Sequence, residues 1–279
     1  MNCATQKTIS KCVSFRGIGV HTGERSEIVI KPADSDSGII FVKDGVEIPA
    51  NVKYVGGSTN SICLVKDGVV IRTIEHLMAA FHGLGIDNAE ILVKKGEEIP
   101  ILDGSAKCFV EKMLKVGIKE LDEPKLAIVL QSRVEVKESE TRYLLALPTK
   151  RGLKVKYHID YGGGFKSRLS YVHTWDNFLR ICSARTFVFE RELKLLKNRG
   201  LGRGIRINLN TLLINSLSNP EDCARHKILD LLGDLYLLGH TIFGDFHVHR
   251  GGHSLHSKFV SLICRNKKLV KLRKVEKVE

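Results

Sequence analysis

No run of apolar residues in this 279-residue sequence approaches the roughly 20 needed to carry a helix across a bilayer. The first residues, Met1 to Lys7, lead into a polar segment and not into an apolar signal core, so the expected location is cytoplasmic. Paired cysteines are missing as well. The seven cysteines, at 3, 12, 63, 108, 182, 223 and 264, are odd in number, scattered, and never spaced Cys-x-x-Cys. That excludes a disulfide framework and a cysteine-held metal as organising devices. Acidic residues are scarce beside basic ones, 31 against 44, for a net charge of +13. Such a surplus brings in one reading to weigh, a basic nucleic-acid-binding protein whose histidines are structural. However, seven Lys or Arg against two Glu lie between Arg265 and Glu279, so five of the thirteen net charges belong to a tail expected to be solvated. A phosphorylated small-molecule substrate accounts for the remainder equally well.

With 43% hydrophobic residues the chain can bury two ordinary cores. Short alternating strands are expected at Lys11–Phe15, Ser26–Lys31 and Gly38–Val42, and two more around the Lys66-Asp67-Gly68 turn. A helix follows, with Thr73 as N-cap, Ile74, Leu77, Met78 and Phe81 at helical spacing, and Gly83 and Gly85 closing it. Then come a strand at Asn88–Val93, a turn at Pro100–Gly104 and a helix at Ser105–Val116. The polar stretch Lys119–Lys125 reads as a linker, which divides the chain into domains 1–122 and 123–279. The second half repeats the plan: strands at Ala127–Val136, Tyr143–Pro148, Leu153–Ile159 and Leu169–His173, a short helix from Asp176, and a helical Arg191–Lys197. A long helix at Glu221–Leu238 stops at Gly239, and a strand at Thr241–Val248, a glycine turn and a helix at His253–Cys264 complete it. The expected fold is α+β: two similar domains, each a mainly antiparallel sheet with two helices, packed helix layer to helix layer as a β-α-α-β sandwich.

The long helix carries the first chemical signal. Residues four apart lie about 40° from each other around a helix, so His226, Asp230 and Asp234 share one stripe. His226 and Asp230 suit two ligands of a catalytic zinc, and His76 from the other half suits a third. Glu75, beside His76, is then placed as the base that takes a proton from an attacking water. His253, after Gly251-Gly252, is a candidate general acid with Asp234 to orient it, and Thr186 is a candidate oxyanion donor. A competing metal set is His247, His249, His253 and His256 with Asp245 nearby. A lone His21 in the loop Val20–Glu24 reads as incidental.

These segments resemble one family, the UDP-3-O-acyl-N-acetylglucosamine deacetylases (LpxC). The matching stretches are Gly17–Gly23, Thr73–Leu77, Glu98–Ser105, Ala184–Phe187, Arg225–Asp230 with Gly233–Tyr236, and Gly252–Leu255, in family order along nearly the whole chain. The resemblance implies zinc on His76, His226 and Asp230, Glu75 as base, His253 as protonated partner and Thr186 at the oxyanion. It also implies substrate contacts at Lys227 and Phe187, a nucleotide-side position at Glu192, and an insert at about 188–215 that forms an apolar passage for the acyl chain. The implied partner is a UDP-sugar bearing an acyl chain, and the expected state is a monomer. Departures at Gly56–Asn60 and Gly202–Arg206, on the rim and the insert, keep a diverged member of weak activity as an alternative.

Overall fold

The computed structural model describes residues 3–58, 60–215 and 218–277. Thr59, within the departure at 56–60, and the last two residues of the basic tail lie outside the described residues. The first half runs β1 (Thr5–Ile9), β2 (Val13–Ile18), β3 (Arg25–Pro32), β4 (Ile39–Lys43), β5 (Val46–Pro49), β6 (Val55–Gly57), β7 (Cys63–Lys66) and β8 (Val69–Arg72). It continues with α1 (Glu75–Leu84), β9 (Ala89–Lys95), α2 (Lys107–Val116) and β10 (Ile118–Pro124). The second half runs β11 (Leu126–Leu130), β12 (Val134–Ser139), β13 (Arg142–Leu147), β14 (Leu153–Asp160), β15 (Lys166–Val172) and α3 (Trp175–Cys182). After it come β16 (Phe187–Phe189), α4 (Glu190–Asn198), β17 (Leu212–Ile214), α5 (Pro220–Leu235), β18 (Thr241–His249), α6 (His253–Arg265) and β19 (Val270–Lys274).

The two main sheets share a five-strand core of the same topology, to which β11 and β19 are added beside β18 in the second. In the first the order is β2-β3-β9-β4-β5, with β9 antiparallel to β3 and parallel to β4. In the second, β12-β13-β18-β14-β15 repeats that order, with β18 antiparallel to β13 and parallel to β14. Each central strand comes late in its half, follows a helix (α1 or α5) and precedes another (α2 or α6). The duplication expected from element order is therefore present at the level of strand pairing. It is mixed at the centre, because a strand that arrives after a helical crossover can run parallel to one neighbour.

The helices fill the space between the sheets. α1 packs on α2 and α5, and α5 packs on α6, β14 and β15. Leu77, Met78 and Phe81 of α1 and Ile228, Leu229, Leu231 and Leu232 of α5 are sealed in one cluster continuous across both halves. Each such side chain contributes about 1.5–3 kcal/mol on leaving water. The crossing of α1 and α5 is close at Gly233, where a Cβ would collide with the Glu75 carbonyl oxygen. Only a residue without a side chain lets the two helices approach so near. α5 begins with Pro220 behind Asn219, whose Oδ1 accepts from the Glu221 N–H at 2.9 Å.

Three local expectations are corrected. Thr73 does not cap α1: its φ is 57°, the helix begins at Glu75 without a side-chain cap, and the Thr73 hydroxyl instead donates to Glu98 Oε1 at 2.7 Å. The stretch 119–125 is not a free linker, since β10 pairs antiparallel with β1 in a two-stranded ribbon, Lys7 opposite Glu120. A ribbon with one face in water needs the same polar residues a linker does, which is why composition misleads there. The single strand expected at Ala127–Val136 is two, β11 and β12, which join different neighbours. At the start of β11 the chain makes a three-way junction. The Ala4 N–H donates to Val275 O at 2.8 Å, the Lys125 N–H to Ala4 O at 2.8 Å, and the Val275 N–H to Lys125 O at 2.9 Å.

Residues 187–214 form a small unit in which β16 and β17 pair in parallel around α4. Its loop reaches the first half, with the Arg203 N–H on His21 O at 3.1 Å and the Gly204 N–H on Val20 O at 3.0 Å.

Candidate active site

The mouth of the α1–α5 interface opens into a cavity of about 390 Å3. His76 enters it from the first turn of α1, His226 and Asp230 from successive turns of α5, and His253 from the first turn of α6. All four, with Glu75, are buried. His226 Nε2 lies 3.3 Å and His76 Nε2 3.7 Å from Asp230 Oδ1, and the two imidazole rings meet edge to face with centroids 5.0 Å apart.

The hydrogen bonds decide which atoms face the cavity. His226 Nδ1 lies 3.0 Å from the carbonyl oxygen of Ala184, which can only accept, so Nδ1 carries the proton and Nε2 its lone pair. Burial pushes His226 down to about 3, against the pull of Asp230, so the ring is neutral at physiological pH. Burial opposes the charge on Asp230 too, but the cations Lys227 and His253 hold its carboxyl well below the usual range. A lone pair and a carboxylate oxygen therefore face each other across 3.3 Å, and Asp230 Oδ1 has no hydrogen-bond partner. Two acceptors oriented in this way repel unless a cation lies between them, and two imidazole nitrogens with one carboxylate oxygen are a donor set that suits zinc. The ligand atoms of His76, His226 and Asp230 all fall within 4.8 Å of one another. The other carboxylate oxygen, Oδ2, accepts from Lys227 Nζ at 2.7 Å.

Glu75 and His253 flank this trio. Burial raises the Glu75 carboxyl, with His253 and His76 opposing, and its Oε2 accepts the Ile62 N–H at 3.0 Å. Its Oε1 lies 3.9 Å from His253 Nε2. Burial alone would discharge His253, but Asp234 first and then Asp230 lift it to about 9. Its Nδ1 donates to Asp234 Oδ2 at 2.8 Å, and its Nε2 is 3.7 Å from Asp230 Oδ2. The cavity thus holds a carboxylate raised toward neutrality and an imidazole held as a cation, groups whose environments separate them as a proton acceptor and a proton donor.

Of the other expected residues, Thr186, Phe187, Lys227 and Glu192 all line the cavity. The Thr186 N–H is fixed on Gly104 O at 2.6 Å, and Lys227 Nζ stands 5.4 Å over the Phe187 ring. Beyond Phe187 the wall becomes apolar, with Val188, Phe189, Leu195, Leu196 and Ile205 from the 187–214 unit. Asp234 is buried behind His253. The competing histidine set does not come together. His247 and His249 lie on the outer face of the second sheet, His247 Nε2 3.3 Å from Asp245 and His249 against His158, whereas His253 and His256 point inward to Asp234. Alternation along β18 places the first two on one face, and the turn after the strand reverses the direction of the others.

His21, read as incidental, lines the cavity. Its backbone N–H and that of Thr22 donate to the buried Glu98 carboxylate at 3.0 and 2.8 Å. The flanking glycines of Gly19-Val20-His21-Thr22-Gly23 are the available signal for a backbone bent around a buried acceptor.

A sequence model of the LpxC family, UDP-3-O-acyl N-acetylglycosamine deacetylase, matches residues 6–265. Proteins named UDP-3-O-acyl-N-acetylglucosamine deacetylase are similar over almost the whole chain. The one from Aquifex aeolicus (strain VF5) is 38% identical over 274 residues, 95% of each chain. That of Cellvibrio japonicus (strain Ueda107) is 35% identical over 279 residues, 94% of this chain and 91% of its own. The Nitrosococcus oceani protein is 36% identical over 94% of this chain and 90% of its own.

Proposed function

Because the chain belongs to the UDP-3-O-acyl N-acetylglycosamine deacetylase family, we propose that its buried His76–His226–Asp230 cluster is the zinc site of a deacetylase and that Glu75 and His253 move the protons. The activity is that of a UDP-3-O-acyl-N-acetylglucosamine deacetylase, a hydrolase of lipid A biosynthesis. The observation that carries the site reading is the partnerless Asp230 Oδ1 facing the His226 Nε2 lone pair at 3.3 Å. When bound there, a zinc ion supplies Lewis-acid activation of water and of the amide carbonyl.

The remaining work falls to side chains. Glu75 takes the proton of the attacking water as its oxygen joins the acetyl carbon. His253 gives its Nε2 proton to the amide nitrogen, so that the C–N bond breaks and leaves acetate and a free amine. Burial supports the role of Glu75 by raising its basicity, and Asp234 and Asp230 support that of His253 by keeping it charged against its own burial. Thr186 is read as the donor to the developing oxyanion, and Asp234 as the residue that orients His253. Lys227 and Phe187 are read as substrate contacts, Glu192 as a nucleotide-side contact, and the apolar wall of residues 188–215 as the passage for the acyl chain. We take the chain as two domains, 1–122 and 123–279, acting as a monomer in the cytoplasm. No helix among the described residues is long and apolar enough to cross a membrane.

The test is acetate release from UDP-3-O-acyl-N-acetylglucosamine of graded acyl length, with metal content measured on the same sample. Release should stop on chelation and return with zinc. A zinc-loaded protein that releases no acetate from any chain length refutes the reading.

A further inference from the structure

Behind His253 lies a chain of polar groups with no place in the proton transfers above. Asp234 Oδ2 sits between two imidazoles, accepting from His253 Nδ1 at 2.8 Å and from His256 Nδ1 at 2.7 Å. Asp234 Oδ1 has no hydrogen-bond partner, so these two contacts are what the structure offers to fix the carboxylate's rotation. His256 donates from Nδ1 and burial pushes its ring below the usual range, so Nε2 carries the lone pair of a neutral ring, and the Tyr157 hydroxyl 3.2 Å away donates to it. All of these groups are buried, and Tyr157 stands on the inner face of β14 with its side chain sealed in the core. The donors thus run in one direction, Tyr157 to His256 to Asp234, and converge on the carboxylate that His253 also uses.

The same pair shapes the turn that carries His253. A Cβ on Gly251 would fall 2.4 Å from Val248 Cγ1, 2.6 Å from the Tyr157 hydroxyl and 3.1 Å from His256 Nε2, so the Gly251 backbone lies directly on them. Both glycines line the cavity, and the His256 N–H closes the first turn of α6 on Gly252 O at 3.0 Å.

We propose that His256, backed by Tyr157, is a positioning residue for the deacetylation: it pins Asp234 in the orientation from which Asp234 aims His253 at the cavity. This inference rests on the reading of His253 as the proton donor. Without the His256 N–H the Asp234 carboxylate turns about its Cβ–Cγ bond, and the His253 Nε2 loses its fixed direction. The cost falls on the chemical step and not on substrate binding, because His256 is sealed away from the cavity.

Geometry also chooses the variants. The side-chain nitrogen of asparagine occupies the place of Nδ1, one bond beyond Cγ, whereas that of glutamine falls nearer Nε2. His256→Leu should lower kcat roughly 10- to 100-fold, the range of losses when a group supporting a site residue is removed. KM should stay within about threefold and zinc content unchanged. His256→Asn should recover most of kcat, His256→Gln should not, and Tyr157→Phe should cost a smaller factor that does not add to the His256→Leu loss. The proton spectrum gives a readout apart from activity: two low-field imidazole N–H signals from donors to the Asp234 carboxylate in the wild type, one in His256→Leu. Wild-type kcat in a folded His256→Leu protein overturns the inference. If that variant fails to fold, equal kcat in His256→Asn and His256→Gln overturns it. An inactive wild-type protein would instead overturn the deacetylase reading, and this inference with it.

Discussion

The two halves meet through a pair of histidines at each end of α1, and the two meetings differ. At the mouth, His76 and His226 stand edge to face with centroids 5.0 Å apart, and a carboxylate is set against both. At the far end His82 meets His173, with centroids 4.6 Å apart, and packs against Tyr236. There both His82 nitrogens lack a hydrogen-bond partner, and neither ring lines the cavity. Burial pushes both rings down, His173 to about 4. A buried pair of imidazoles is therefore not enough to make a site. What the mouth adds is a third, anionic group with an unsatisfied oxygen and an opening through which a ligand can enter.

The largest effect that would test this contrast comes from Glu75→Gln. Loss of the base should lower kcat by about 10²–10⁴-fold while zinc stays bound, and retained turnover would break the assignment of chemistry to the mouth. Next, His226→Ala should take zinc from near one equivalent toward none by elemental analysis, whereas His82→Ala should leave it unchanged. Zinc lost equally from both variants would erase the distinction between the two ends. Gly233→Ala sharpens it from the scaffold side. A methyl group against the Glu75 carbonyl must spread α1 from α5, at about 1–3 kcal/mol by denaturant titration, with activity falling further than stability alone explains.

The smallest effect belongs to the far end and is read by pH. Both His82 and His173 have folded pKa values below the unfolded value of about 6.5, so the unfolded chain takes up protons that the folded one refuses. Their contribution is fully present above pH ~6.5 and is lost as pH falls below it, in the case of His173 toward about 4. His82→Leu removes two unpaired buried nitrogens, so it should flatten the acid limb of a Tm-against-pH curve and raise Tm slightly at neutral pH. A steeper limb in that variant would show the pair to be stabilised by protonation.

Much of this arrangement was legible because helices turn spacing into direction. His226 and Asp230 had to share a stripe, and Glu75-His76 at a helix start was an unusual pair for that place. The strand order repeated between halves was legible only as an order of elements, since pairing partners are set by tertiary contacts. What composition concealed were features defined by backbone shape or by long separation. Thr73 looked like a cap, but its positive φ turns its hydroxyl to Glu98, and β10 looked like a linker. Tyr157 and His256 meet across 99 positions, a distance no local pattern encodes.

The three-way junction of Ala4, Lys125 and Val275 bears on how the molecule moves. Were residues 119–125 a free connector, the halves could swing apart about it as a hinge. Instead the crossover segment is stitched to both ends of the chain, and a rotation of one half against the other would break two backbone hydrogen bonds together, Ala4 to Val275 and Lys125 to Ala4. The α1–α5 seam then behaves as a rigid spine. The 187–214 unit, by contrast, meets the 19–22 loop through two backbone hydrogen bonds, Arg203 to His21 and Gly204 to Val20, so the chain closes over that side of the cavity by main-chain contacts between the halves.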